Sequence, residues 1–401
     1  MKRLITILLV VATAVSILSS CSTKAEEQKA KYIFLFIGDG MGNSHVAAAE
    51  SYLSYRNGKL GGEQLTFTGF PYLGLCTTYS ANHNITCSSA AGTAIACGEK
   101  TNNGMLGVDP EGAPVESMAY ILKEDGYKIG IMSSVPINHA TPASFYAHSN
   151  DRGDYYNISV QIPSTGFDFF GGPGFISFNG KDGQEEDTDI YLEKNGYHVC
   201  YGKNELLAAA DCTKVVFCQE SNRKSSADNY VSDGGEAKDE SLASIVEMAI
   251  NRFGDKEPFF IMCEGGAIDW SAHDNKTMSM ISEVIDFDAA VKVAYEFYLQ
   301  HPDETLIVVT ADHETGGIAL GSRKGGSSVN WARLEEYWND EAKKASLDRE
   351  SNMELNETCS VGWTTYGHTG APVPTYAIGK GAEKFCGRLD NTDIKGKILG
   401  E

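Results

Sequence analysis

The run Pro258-Phe-Phe-Ile-Met-Cys263 is apolar throughout, shows no alternation, and breaks off at Glu264-Gly265-Gly266. A stretch of that length and composition reads as a strand buried on both faces, the kind found in sheets covered by helices on either side. Glu264 stands where the strand gives out, the two glycines turn the chain, and Ala267-Ile-Asp-Trp-Ser-Ala-His273 begins a helix. Asp269 and His273 are four apart, so on a helix they lie one turn apart on one face and can share a metal ion. Glu264 then points to a neighbouring ion. A single Asp-x-x-x-His also occurs on ordinary capped helices with polar surfaces, so repetition of the pattern has to decide.

The pattern repeats. Lys31-Tyr-Ile-Phe-Leu-Phe-Ile37 runs into Gly38-Asp39-Gly40, Tyr127 to Met132 is followed by Asn138-His139-Ala140-Thr141, and Glu304 to Thr310 ends on Ala311-Asp312-His313. Leu73 to Tyr79 and Pro374 to Ile378 read as further strands. Amphipathic helices are expected over 117–125, 240–253 and 278–299, and a charged helix near 331–344. Strands alternating with helices give an α/β fold with a mainly parallel central sheet and helices on both faces. In open sheets of this kind ligands collect beyond the carboxyl ends of the strands. Asp39, His139, Thr141, Glu264, Asp269, Asp312 and His313 should therefore converge on one rim. One such Asp can be a helix cap; four strand ends of this composition are a site.

The residue types set the chemistry. Histidine and carboxylate without thiolate suit zinc, and carboxylate with hydroxyl suits magnesium. Two ions about 4 Å apart can hold the attacking and leaving oxygens of an in-line displacement at phosphorus. Ser88 opens Ser88-Ser-Ala-Ala-Gly-Thr-Ala94, a helix of small residues, where its hydroxyl faces free N–H groups that favour anions.

The ends and the charge balance bound where and on what such a centre acts. Lys2-Arg3, an apolar run from Leu4 to Leu18 and Ser19-Ser20-Cys21 form a secretory leader, residues 1–20, whose Leu-Ser-Ser-Cys end resembles the bacterial lipoprotein processing box. That resemblance implies cleavage before Cys21, acylation there, and a place in the periplasm or cell envelope on a lipid anchor, with 21–30 as tether. A net charge of −21, with 54 acidic against 33 basic residues, argues against a nucleic-acid partner. A small anion is not excluded, since bound cations reverse the local field. The ten cysteines include no C-x-x-C pair, so a thiolate metal site is not expected. Residues 31–401 form the catalytic domain, with insertions at about 162–239, lying over the sheet edge, and 321–362.

Seven motifs resemble the alkaline phosphatases and stand in that family's order. They are Gly38-Asp-Gly-Met-Gly42, Ser88-Ser-Ala-Ala-Gly-Thr-Ala94, Lys100-Thr-Asn-Asn-Gly-Met-Leu-Gly-Val-Asp109, His139-Ala-Thr-Pro142, Glu264-Gly-Gly-Ala-Ile-Asp269, Thr310-Ala-Asp-His313 and His368-Thr-Gly370. The resemblance implies hydrolysis of phosphate monoesters through a phosphoserine, two zinc ions and one magnesium, and a homodimer as a further partner. It makes Asp269, His273 and His368 ligands of the zinc that activates water. Asp39, Asp312 and His313 become ligands of the zinc that holds the oxygen of Ser88, the nucleophile. Arg152 matches the arginine that grips phosphate. Thr141, Glu264 and the shared Asp39 match the magnesium site, with His139 counted among its residues. Two departures stand out: Cys87 replaces the family's aspartate before the nucleophile, so Arg152 is expected to be held loosely, and His139 leaves the third site less anionic.

Overall fold

A computed structural model of the chain describes residues 29–223 and 240–401. The leader, Cys21 and most of the tether lie outside these residues. Among the described residues fourteen strands follow in chain order: β1 (Tyr32–Gly38), β2 (Tyr72–Thr77), β3 (Lys128–Ser133), β4 (Phe169–Gly172), β5 (His198–Tyr201), β6 (Val215–Cys218), β7 (Phe259–Gly265), β8 (Thr305–Thr310), β9 (Glu314–Thr315), β10 (Ala319–Leu320), β11 (Val361–Gly362), β12 (His368–Thr369), β13 (Val373–Gly379) and β14 (Gly387–Asp390). Ten of them make one sheet in the order β14-β2-β13-β8-β1-β7-β3-β4-β6-β5. Only β13 runs antiparallel to its neighbours; every other pairing in the sheet is parallel.

The central strands are continuous apolar runs because both faces are covered: β1, β7 and β8 are buried at every residue. Toward the edge, β2 buries only alternate residues, and Leu73 and Leu75 face outward. The helix Leu242–Phe253 lays an apolar stripe on this sheet and is capped by Ser241, whose side chain accepts from the Ser244 N–H. The helix Thr277–Tyr298 packs beside it. Among the described residues no helix is long and apolar enough to cross a membrane.

Two expectations about the chain's variable segments need correction. The segment from 162 does not lie over the sheet edge: it supplies β4, β5 and β6, which continue the sheet beyond β3. These strands are four residues each and sit among Gly-, Asp- and Ser-rich loops, too short for a period to emerge. The helix expected near 331–344 is two, Trp331–Trp338 and Glu341–Ala345, followed by Arg349–Thr358. Asp340 makes the break, because its carboxylate accepts from the Ala342 and Lys343 N–H groups, each at 3.1 Å, and starts a new helix.

Candidate metal centre

The carboxyl ends of β1, β3, β7 and β8 meet on one rim, as the alternation of strands and helices requires. Because β13 runs the other way, its beginning lies on that same rim, and this brings in His368 from just upstream. Gly40 allows the closure. Its φ is 71°, and a Cβ there would come within 3.0 Å of the Asp269 backbone.

Among the described residues three groups of side chains come close enough to hold a cation each: Asp269, His273 and His368; Asp39, Asp312 and His313; and Asp39, His139 and Glu264. In the first, Asp269 Oδ2 lies 3.3 Å from His273 Nε2, and Asp269 Oδ1 lies 3.6 Å from His368 Nε2. In the second, His313 Nε2 lies 3.4 Å from Asp39 Oδ1 and 3.2 Å from Asp312 Oδ2. Thr141 Oγ1 donates to Asp39 Oδ2 at 3.4 Å, which ties the third group to the second. Asp39, Asp312, His313 and Glu264 are wholly buried, whereas His273 is partly exposed, so the first group is the one that reaches solvent.

The donor set fits metal ions on the structure's own hydrogen bonds. His368 Nδ1 donates to the Thr86 carbonyl at 2.8 Å and His273 Nδ1 to the Tyr366 carbonyl at 2.5 Å. His313 Nδ1 lies 3.2 Å from Thr315 Oγ1, which itself donates to Asp269 Oδ1 at 2.5 Å. All three rings are thus oriented with Nε2 toward the carboxylates, the outer-shell arrangement that fixes metal-ligating histidines. Asp39 Oδ1, Asp312 Oδ2 and Glu264 Oε1 are buried and have no hydrogen-bond donor. Buried acceptors facing acceptors are costly unless a cation stands among them.

The protonation equilibria respond to the same crowding. Burial, then the charges of Asp312 and Asp269, push Asp39 well above the usual carboxylate range. Burial raises Glu264 to about 7 and Asp312 to about 8. Burial would also raise Asp269, but its hydrogen bond from His273 and the neighbouring imidazoles outweigh it and hold that carboxyl low. The same hydrogen bond raises His273 to about 9. Burial, reinforced by His368, drives His313 well below its ordinary value.

Ser88 is the first residue of the buried helix Ser88–Cys97, and its Oγ lies 3.3 Å from His313 Nε2. The Ser89 hydroxyl meets Cys87 Sγ at 3.2 Å. The Arg152 side chain donates from Nη2 to His139 Nε2 at 3.1 Å, and its backbone N–H donates to the Gly104 carbonyl at 2.7 Å. Cys87 Sγ accepts the Gly104 N–H at 3.2 Å, so the thiol braces the Gly104 peptide that carries Arg152. The guanidinium meets His139, and no hydrogen bond runs from it to Cys87.

Sequence reasoning missed the residues that orient these groups. Ser133 at the end of β3 donates to Glu264, and Thr315 holds both Asp269 and His313. Thr315 follows His313 by two positions and was within reach of inspection. The Thr86 and Tyr366 carbonyls carry no side-chain signal at all.

A family model of the alkaline phosphatases matches residues 30–168 and 179–399. Alkaline phosphatase 4 of Bacillus subtilis is 31% identical over 92% of this chain and 88% of its own length. Alkaline phosphatase 3 of the same organism is 30% identical over 99% of this chain and 96% of its own. The alkaline phosphatase of the Antarctic bacterium TAB5 superposes with a TM-score of 0.76 at 30% identity, over 93% of this chain and 98% of its own. A histidine-to-aspartate mutant of that enzyme has magnesium bound in a site designated M3. With three groups of side chains able to hold cations on the rim of a mainly parallel sheet and a family match over nearly the whole chain, this protein belongs to the alkaline phosphatase family of enzymes.

Proposed function

We propose that the protein hydrolyses phosphate monoesters outside the cytoplasm through a phosphoserine on Ser88. The observation that carries this reading is the Ser88 hydroxyl, buried at a helix start and 3.3 Å from His313 in a ring of metal-ligand side chains. Asp269, His273 and His368 would hold one zinc ion, Asp39, Asp312 and His313 a second, and Thr141, Glu264 and the shared Asp39 a magnesium ion, with His139 beside them. When bound, such ions supply Lewis acidity and lower the pKa of hydroxyl and water oxygens in the centre.

The chain's own groups do the rest. Arg152 places a positive charge felt by Asp39, Cys87, His313 and His368, and its guanidinium fork suits two oxygens of a phosphoryl group. The helix that starts at Ser88 turns its free N–H groups toward the same anion. Ser88 Oγ passes its proton to solvent water and attacks phosphorus in line, and the phosphorus bond to the leaving alcohol's oxygen breaks as that oxygen takes a proton from solvent. Water then attacks the phosphoserine from the solvent side, where His273 is partly exposed, and its proton passes to the departing Ser88 oxygen. The phosphorus–Oγ bond breaks, Ser88 recovers its proton, and inorganic phosphate leaves. The stacked rings of His313 and His368, 3.6 Å apart, keep both halves of the centre in fixed relation.

A phosphodiester offers one anionic charge fewer to Arg152. Loss of a charge-assisted contact corresponds to roughly ten- to a hundredfold in kcat/KM. Purified protein should therefore turn over an aryl phosphate monoester at least about tenfold better than the matching diester. Equal turnover of the two would overturn the monoesterase reading.

The site of action rests on Leu18-Ser-Ser-Cys21. Wild type should fractionate with membranes and Cys21→Ala should be released in soluble form. Equal membrane association of the two would defeat the anchor.

A further inference from the structure

The backbone of His368 is fixed by the pairing of β12 with β9, where His368 faces Thr315. That pairing leaves the imidazole free to rotate about its side-chain bonds. The Thr86 carbonyl removes this freedom: it accepts from Nδ1 at 2.8 Å and turns Nε2 toward Asp269 at 3.6 Å and His273 Nε2 at 3.1 Å. The aim of His368 is therefore only as firm as the peptide that carries this carbonyl.

That peptide is held from its other end. The Thr86 C=O and the Cys87 N–H belong to one peptide group, which is trans and so points them in opposite directions. The Cys87 N–H donates to Asn103 Oδ1 at 3.2 Å, so the group is pinned between Asn103 and His368. Asn103 Nδ2 donates to the Ile85 carbonyl at 3.0 Å, on the far side of Thr86. A primary amide offers a donor and an acceptor in one plane, which lets this single side chain grip both neighbours of Thr86. Hydrogen bonds in series polarise one another, so acceptance of the Cys87 N–H strengthens the Thr86 carbonyl as an acceptor for His368. Asn103 is anchored in turn, its own N–H donating to Asn82 Oδ1 at 3.0 Å. It is only half-buried, so its loss opens no hole in the core.

Building on the phosphatase reading above, we propose that Asn103 is a positioning residue of the outer metal group: it holds the Thr86–Cys87 peptide whose carbonyl aims His368 at Asp269 and His273. It touches neither the cation nor the substrate. The segment Lys100 to Asp109 thereby acquires a second task besides the Gly104 anchor of Arg152.

Zinc-buffered titrations of metal-free protein test this, with His368→Ala marking the binding step that belongs to Asp269, His273 and His368. Asn103→Leu keeps the size of the side chain and loses both bonds. Its zinc Kd in that step should rise about three- to tenfold, with the other zinc step unchanged to within about twofold. Asn103→Asp keeps an acceptor for the Cys87 N–H and should recover most of the lost affinity. Asn102→Asp puts the same charge one residue away and should leave that step within about twofold of wild type, because its side chain meets Met105 and the Pro110 carbonyl and not Cys87. Asn103→Ala repeats the test if the leucine variant does not fold. A rise below about threefold in Asn103→Leu, or a loss shared equally by both zinc steps as a general loosening would give, overturns the proposal. So does an Asn103→Asp protein no better than the leucine variant, or an Asn102→Asp protein that tightens the step. A wild type that takes up no zinc defeats the proposed function, whereas one with two zinc steps and any of these patterns defeats only the role of Asn103.

Discussion

Ser88→Ala should form no phosphoserine and lose turnover by roughly 10⁴-fold or more, the scale seen when a nucleophile that works as part of a unit is removed. Ser89→Ala should keep the phosphoserine and stay within several-fold of wild type. The two hydroxyls are adjacent in sequence, but one helix step turns them about 100° apart, so they cannot share a role. The Ser88 Oγ lies 3.3 Å from His313 Nε2, inside the ligand cluster. The Ser89 Oγ meets the sulfur of Cys87 at 3.2 Å, on the side of the helix start that faces the Gly104 loop. Both side chains are buried, so exposure does not distinguish them; direction does. Acid quenching during turnover of a labelled monoester, followed by peptide mapping, reads the result. Label recovered on Ser89, or a Ser88→Ala enzyme that still accumulates phosphoserine, would show that the other hydroxyl is the nucleophile.

What could be read from the sequence follows from where each signal is stored. The apolar runs that became β1, β7 and β8 are continuous because both of their faces are covered, and a residue of the site (Asp39, Glu264 or Asp312) stands within two positions of each strand's end, so fold and rim were legible together. The four-residue spacing of Asp269 and His273 likewise survives as a shared face in the helix Ala267–His273. His368 was not legible in this way. It precedes β13, the one strand that runs against the rest, so its place on the rim depends on a pairing direction that composition does not record; only the family resemblance pointed to it. Arg152 is a third kind of case. Its neighbour was expected at position 87 by analogy with an aspartate, yet the acceptor that holds its guanidinium is His139, thirteen residues away and on another loop. The sulfur of Cys87 works one step back, on the Gly104 peptide. The strands β4, β5 and β6 were missed for a simpler reason: four residues are too few for a period.

Removing the metal ions with a chelator should abolish turnover and leave a protein whose Tm falls as pH rises from about 6.5 to about 9, by on the order of 5 °C. Zinc should restore most of the activity and remove the slope; magnesium should then add a modest gain, and alone should restore nothing. The slope follows from the cluster's titration without a cation. Asp39, Glu264 and Asp312 are raised above their ordinary values, the last two to about 7 and about 8, chiefly by burial. The folded chain therefore keeps protons that the unfolded chain has released, and stability present at low pH is lost as pH rises through the folded values. His273, raised to about 9 by its hydrogen bond to Asp269, acts in the same direction above its unfolded value of 6.5. Among the opposing groups Cys87, which burial would raise but hydrogen bonds from Ser89, Ala90 and Gly104 lower below 9, works against the slope only toward its alkaline end, and the others are silent in this window. His45 and His139, lowered by burial to about 4 and about 3, cost stability only below 6.5, as does His313, and Asp269 is already ionised in both states. Cations at the cluster replace the retained protons, so the carboxylates ionise without penalty, and binding to the folded chain alone raises Tm throughout. The measurement is a thermal melt across pH with and without added zinc, run beside a turnover assay. A chelated protein whose Tm is flat or rises between pH 6.5 and 9 would show that the carboxylates are not strained in the metal-free fold. Full activity with magnesium alone would refute the zinc assignment.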